Sequence, residues 1–141
     1  MDNKVICIIG LPGSGKTFLA ERLLKSYGED WQVWDDPGCK NVDAMLEQIK
    51  LGKNIIITDP HLCVLRNRDN AITLLQKTGV QITNIFFIFF ENNPNMCIKN
   101  VSLRNDERDV INTIKLYTEL YVPPLGCLSV WDWSGVEKNH K

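Results

Sequence analysis

The apolar run Val5-Ile6-Cys7-Ile8-Ile9 passes directly into Gly10-Leu11-Pro12-Gly13-Ser14-Gly15-Lys16-Thr17, and a helix-period segment, Phe18 to Tyr27, follows without a break. A buried strand, a glycine-rich turn and a helix in that order leave a chain few folds to adopt. The glycines let successive backbone N–H groups turn inward around an anion. The helix that follows points its positive end at the same place. Lys16 is then placed to reach the outer phosphates of a nucleotide, and the Thr17 hydroxyl to ligate Mg²⁺. The motif is a complete G-x-x-x-x-G-K-T. Gly10, Pro12, Gly13, Ser14, Gly15, Lys16 and Thr17 are therefore expected to cradle a nucleoside triphosphate.

Apolar runs and helix-period segments alternate through the rest of the chain, the pattern of βαβ units around a parallel sheet. Strands are expected at Lys4–Ile9, Trp31–Asp35, Asn54–Thr58 and Ile82–Phe90, with a fifth at Cys127–Trp131. The aromatic stretch Phe86-Phe87-Ile88-Phe89-Phe90 reads as core. Helices are expected at Lys16–Tyr27, Val42–Leu51, Val64–Lys77, from Pro94 to about Leu103 behind an Asn93 cap, and from about Asp109 to Tyr121. The fold class is α/β: a P-loop NTPase three-layer sandwich with a five-stranded, mainly parallel sheet and a short helical lid over about 92–108. The 141 residues make one domain, with a loose tail over about 134–141.

Other function classes are disfavoured. The net charge is −1, so no basic surface announces non-specific nucleic-acid binding. The five cysteines, Cys7, Cys39, Cys63, Cys97 and Cys127, show no C-x-x-C and an odd total, which fits reduced thiols in a cytoplasmic protein better than disulfides or zinc. No apolar run reaches membrane length.

Three further clusters bear on whether the triphosphate is hydrolysed, sensed or used as a phosphoryl donor. Asp59 ends the run Ile55-Ile56-Ile57-Thr58, where an acidic residue of a Mg²⁺ shell would stand, although Asp59-Pro60 also reads as a turn. Asp35-Asp36 ends the second strand. Either carboxylate could accept the proton of an acceptor hydroxyl, with Asp35 favoured as the strand's last residue, and either could instead open the turn at Pro37-Gly38. Arg104 and Arg108 stand four apart, so that one helix would present both guanidinia on one face toward a phosphoryl group gaining charge; solvated surface charge is the other reading. Trp34 could stack an acceptor base or belong to the core, and His61 could contact the acceptor or be an ordinary loop residue.

With these residues in view, the chain resembles the P-loop kinases of the phage polynucleotide kinase type, nearly from end to end. The resemblance rests on Gly10–Thr17, Asp35-Asp36, Ile57-Thr58-Asp59-Pro60-His61-Leu62, Arg104-Asn105-x-x-Arg108, and Leu116-Tyr117 with Tyr121. It implies that the loop binds ATP with Mg²⁺, that Asp35 or Asp36 is the general base, that Asp59 lines the site, and that Arg104 and Arg108 clamp the donor phosphates. Two departures fall on the acceptor side. Gly38 and Cys39 stand where the family has an arginine for the acceptor phosphate, and His61 stands in place of an asparagine. The expected activity is transfer of the ATP γ-phosphoryl to a hydroxyl on a nucleic acid, either a 5′-OH end or a hydroxymethyl base of DNA. A nucleoside or nucleoside monophosphate kinase is the enzymatic alternative, and a regulatory NTP-binding module the non-enzymatic one. A switch would need neither paired carboxylates beside the phosphates nor a two-arginine lid. The expected location is the cytoplasm, that of the host cell if the gene is a phage's.

Overall fold

Side chains alternate across a strand, so the isoleucine-rich runs feed two cores, one on each face of the sheet. The computed structural model describes residues 2–37, 41–104 and 110–134. Its sheet comprises β1 (Val5–Ile9), β2 (Trp31–Asp35), β3 (Asn54–Thr58) and β4 (Ile85–Phe89) in the order β2-β3-β1-β4. Every pairing is parallel, with Val5 opposite both Ile55 and Ile85. On one face Ile6, Ile8 and Ile56 pack against Leu19, Ala20 and Leu23 of helix α1 (Lys16–Tyr27). On the other, Cys7, Ile9, Ile55 and Ile57 meet four helices: α2 (Val42–Lys50), α3 (Leu65–Lys77), α4 (Pro94–Leu103) and α5 (Val110–Thr118). This is an α/β fold of three layers. The carboxyl ends of β1, β2 and β3 open on one edge, where ligands gather in such sheets.

Among the described residues the sheet has four strands rather than the expected five. Around Cys127–Trp131 the pairing is a single parallel bridge, Phe90 with Leu128. Beyond it the Val130 N–H donates to the Glu91 carboxylate (3.1 Å) and the Trp131 N–H to the Ser14 carbonyl (3.3 Å), so side-chain and loop acceptors take the bonds a ladder would use. β4 also starts later than expected, because Ile82–Asn84 form a 3₁₀ turn. It is an edge strand, and its aromatic run departs from the expected core at Phe86 alone: Phe87, Ile88 and Phe89 are partly buried against the two cores. Phe90 is fully buried, but Phe86 is 44% exposed, and Phe87 and Phe89 stack on each other at the margin (centroids 6.1 Å apart).

The first part of the expected lid segment is helix α4, packed on the core. Cys97, Asn100 and Val101 of α4 are buried, and the Asn93 side chain caps the helix by accepting from the Met96 N–H (3.2 Å). α4 ends at Leu103 with Arg104 as its C-cap, so Arg104 does not sit inside a helix as the spacing to Arg108 suggests. Arg108, Gly38, Cys39 and the expected tail beyond Ser134 lie outside the described residues. Among the described residues no helix is long and apolar enough to cross a membrane.

Candidate active site

Gly10–Thr17 leaves β1 and wraps onto the start of α1. Gly13 has φ 86° and Gly15 φ 108°, the left-handed region that glycine enters without strain. Packing requires both as well. A Cβ at Gly13 would lie 2.6 Å from the Cys97 carbonyl oxygen, and one at Gly15 would lie 2.5 Å from the Trp131 ring. The loop is thus seated against α4 beneath it and against the C-terminal segment beside it. Lys16 is 7% exposed, and its ammonium donates to the Leu11 carbonyl (2.9 Å) across the loop. Burial lowers its pKa, with Asp35 and Asp59 among the groups that oppose the shift. An ammonium short of water and partners gains most from an arriving polyphosphate.

A cavity of about 410 Å³ opens beside the loop, lined by Pro12, Gly13, Gly15, Lys16, Thr17, Asp35, Asp36, Arg104 and Trp133 among others. Pro12, Gly13, Gly15, Lys16 and Thr17, both carboxylates and Arg104 therefore meet in one place, while Gly10 and the buried Ser14 do not line it. The cradle closed to any Cβ, the lysine and the Thr17 hydroxyl fit a nucleotide polyphosphate. The hard oxygens of Thr17 and Asp35 fit Mg²⁺.

The two carboxylates differ. Asp35 accepts from the Thr58 hydroxyl (2.7 Å), which fixes it to β3. Asp36 has φ 53°, a conformation that aspartate tolerates better than most residues, and its N–H donates to the Thr58 carbonyl (2.6 Å). Burial, then a hydrogen bond and repulsion from Asp59, raise the Asp36 pKa, and His61 partly offsets this. Asp59 is 3% exposed and caps the 3₁₀ turn Pro60–Cys63, accepting from the His61 N–H (2.9 Å) and contacting His61 Nδ1 (3.0 Å). His61 Nδ1 also lies 3.8 Å from Asp36. Asp59 is thus absent from the lining of the phosphate cavity. It lines a second cavity of about 260 Å³, with His61 and residues of α2 and α3. Trp34 lines neither cavity: it packs against the larger core, and its indole N–H donates to Gln32 (3.1 Å).

Sequence reasoning missed the role of Asn100 and the C-terminal segment. Asn100 is fully buried and donates to the carbonyls of Gly13 (2.9 Å) and Trp131, and it accepts from the Trp133 N–H (3.0 Å). Trp131 and Trp133 stack on each other and both meet the edge of Phe18. The strap that ends in Trp133 thereby becomes a wall of the phosphate cavity. An asparagine within an apolar helix pattern is the only signal that could have pointed to it. Tyr121, part of the family resemblance, donates to the carbonyls of Ile9 (3.3 Å) and Phe90, which pins the end of β1 under the loop. Of the cysteines, Cys7, Cys63 and Cys97 are free and buried, and burial pushes their thiols up to about 12, 12 and 11. These thiols stay protonated and unreactive at neutral pH.

The chain is an α/β protein with a G-x-x-x-x-G-K-T loop at the carboxyl end of β1. The architecture recurs in solved structures. A gluconokinase from Sinorhizobium meliloti 1021 superposes with a TM-score of 0.57 at 12% identity, covering 91% of this chain and 81% of that one. A chain of the PezAT toxin-antitoxin system of Streptococcus pneumoniae gives 0.58 at 13% identity, over 83% and 62%. A chain of the Pnkp1/Rnl/Hen1 RNA repair complex gives 0.52 at 13%, over 85% of this chain and about half (46%) of that one. At these identities the likeness is one of fold. No protein-family model matches the chain. In sequence it is 36% identical over 123 residues to Uncharacterized protein R277 of Acanthamoeba polyphaga mimivirus, covering 86% of this chain and 88% of that protein. The chain belongs to the same family as R277.

Proposed function

We propose that the protein is a kinase that transfers the γ-phosphoryl group of ATP to a hydroxyl carried by a nucleic acid or one of its building blocks. The observation that carries this reading is the position of Asp36. It lines the phosphate cavity, and it also stands 3.8 Å from His61, which lines the second cavity. A general base must stand between donor and acceptor, and a raised carboxyl pKa suits it to take a proton. Asp36 is therefore the better base, although Asp35 ends the strand. A pure nucleotide switch has no use for a second cavity behind a carboxylate.

In this reading the loop amides and Lys16 hold the donor phosphates. Thr17 and Asp35 would hold Mg²⁺, which supplies charge neutralisation on the polyphosphate. Arg104 meets the charge that develops on the transferring group. Trp133 offers an aromatic face to the donor's nucleoside. A kinase activity agrees with the fold shared with a gluconokinase and with a chain of an RNA repair complex. A mimivirus relative agrees with action in the cytoplasm of an infected cell. The test is ATP labelled on its γ-phosphate, incubated with Mg²⁺ and 5′-hydroxyl DNA and RNA, hydroxymethyl-pyrimidine DNA, nucleosides and mononucleotides. Release of inorganic phosphate with no labelled acceptor would mark a hydrolase or a switch instead.

A further inference from the structure

The second cavity has a chemistry of its own. It encloses about 260 Å³ between α2, the 3₁₀ turn and α3, close to the lower end of the ~300–1,000 Å³ range of small-molecule sites. Val42, Met45, Leu46 and Leu74 give it apolar walls. Its polar groups are the carboxylate of Asp59, the ring of His61 and the amides of Asn67 and Asn70. None of the described lining residues is a lysine or arginine. On α3, Arg68 is committed elsewhere. Its guanidinium donates to the carbonyls of Leu62 (2.9 Å) and Cys63 (3.2 Å) and lies over the Phe89 ring (5.3 Å).

These walls discriminate by charge. A phosphate or carboxylate on the acceptor would lose its water, find no lysine or arginine among the described lining residues, and face the carboxylate of Asp59. A polyol would bring more hydroxyls than the apolar walls can satisfy. A flat, uncharged heterocycle would bury its faces against Met45, Leu46 and Leu74 and offer its edge to the Asn70 amide, which can both donate and accept.

On the kinase reading above, we propose that this cavity seats the acceptor, and that the seated part is an uncharged heterocyclic ring of nucleobase or nucleoside size. Its hydroxyl reaches Asp36. The hydroxyl oxygen bonds to the γ-phosphorus while the bond from that phosphorus to the β,γ-bridging oxygen breaks. ADP leaves with the electron pair, and the hydroxyl proton passes to the Asp36 carboxylate and then to water. A free nucleoside and a base swung out of a single strand present the same ring.

The experiment uses γ-labelled ATP and five acceptors. They are 5-hydroxymethyl-2′-deoxyuridine, a 5′-phosphorylated oligonucleotide carrying one 5-hydroxymethyluracil, an unmodified 5′-hydroxyl oligonucleotide, thymidine 5′-monophosphate and gluconate. Label on any of the first three is expected, and which of them takes it names the source of the ring. Leu74→Glu and Asn70→Asp should each raise the acceptor KM about tenfold or more, with kcat and the ATP affinity read by calorimetry little changed. Leu74 is 38% exposed and Asn70 is exposed, so both variants should fold, and thermal melting checks this. Label confined to gluconate or the mononucleotide overturns the proposal, as does indifference of the acceptor KM to both substitutions. ATP binding with no acceptor labelled also overturns it. Failure to bind ATP at all would overturn the kinase reading itself.

Discussion

At Asp36 two local properties point the same way. The residue sits at φ 53°, where asparagine is at least as comfortable as aspartate, and folding raises its pKa above the ordinary 3.8. A carboxyl raised in this way favours the folded state while it is protonated. That contribution is complete below the unfolded value and is lost as the pH climbs through the folded one. Asp36→Asn should therefore leave the Tm at neutral pH unchanged or slightly higher while lowering phosphoryl transfer about 10²-fold or more. Thermal melts beside acceptor turnover at saturating ATP check both halves, and turnover at the wild-type rate would place the base elsewhere. In the wild type the acidic limb of kcat/KM should lie above pH 3.8, with activity falling as Asp36 takes up a proton. Lys16→Ala should abolish turnover, because no other group of the loop carries a positive charge. Arg104→Ala should lower kcat more than it weakens ATP binding, since charge on the transferring group grows toward the transition state.

Helix α4 acts as a foundation for the loop. Its Cys97 carbonyl and Val101 side chain leave room at Gly13 only for a hydrogen, and Asn100 holds both the loop and the C-terminal strap. Asn100→Ala strands two part-buried carbonyl groups and one N–H. It should cost about 1–3 kcal/mol of stability and raise the ATP KM. Denaturant unfolding and steady-state kinetics measure the two effects, and a stability loss with an unchanged KM would mean that the strap does not shape the donor site. The Lys99–Asp132 ion pair (3.4 Å) joins the same two elements. Both of its side chains are half exposed, so it contributes little.

For the molecule as a whole, Asp36 of the first cavity stands 3.8 Å from His61 of the second, and the far walls of the two cavities come from segments distant in the chain. Trp133 walls the cavity beside the loop from the C-terminal side, held by Asn100 and the Phe18–Trp131 cluster. A base stacked on an aromatic ring is worth about 1–3 kcal/mol. Trp133→Ala should therefore raise the ATP KM about tenfold with a small change in kcat. Stacking reads ring faces and not edges, so GTP should compete with ATP at a similar concentration in a donor-competition assay. A strong preference for one base would require a contact other than Trp133.

Much of the fold could be read from the sequence because its signals are local. The spacing of Gly10, Gly13, Gly15 and Lys16 determined the loop, the isoleucine runs the strands β1 and β3, and Asn93-Pro94 the start of α4. Strand ends placed Asp35, Asp36 and Asp59 on one edge, since parallel strands around one sheet bring their carboxyl ends together. What depended on partners far along the chain was decided only by the tertiary structure. Whether Cys127–Trp131 became a strand turned on the Glu91 carboxylate and the Ser14 carbonyl capturing its N–H groups. That Phe86 alone of the aromatic run is exposed turned on β4 lying at the sheet edge. Asp59 faces the second cavity because its carboxylate is spent on the backbone and ring of His61. Trp34 packs against the core because the pleat turns it toward that face. The second cavity itself has no sequence motif, because apolar positions on α2 and α3 look alike whether they close on each other or leave a space between them.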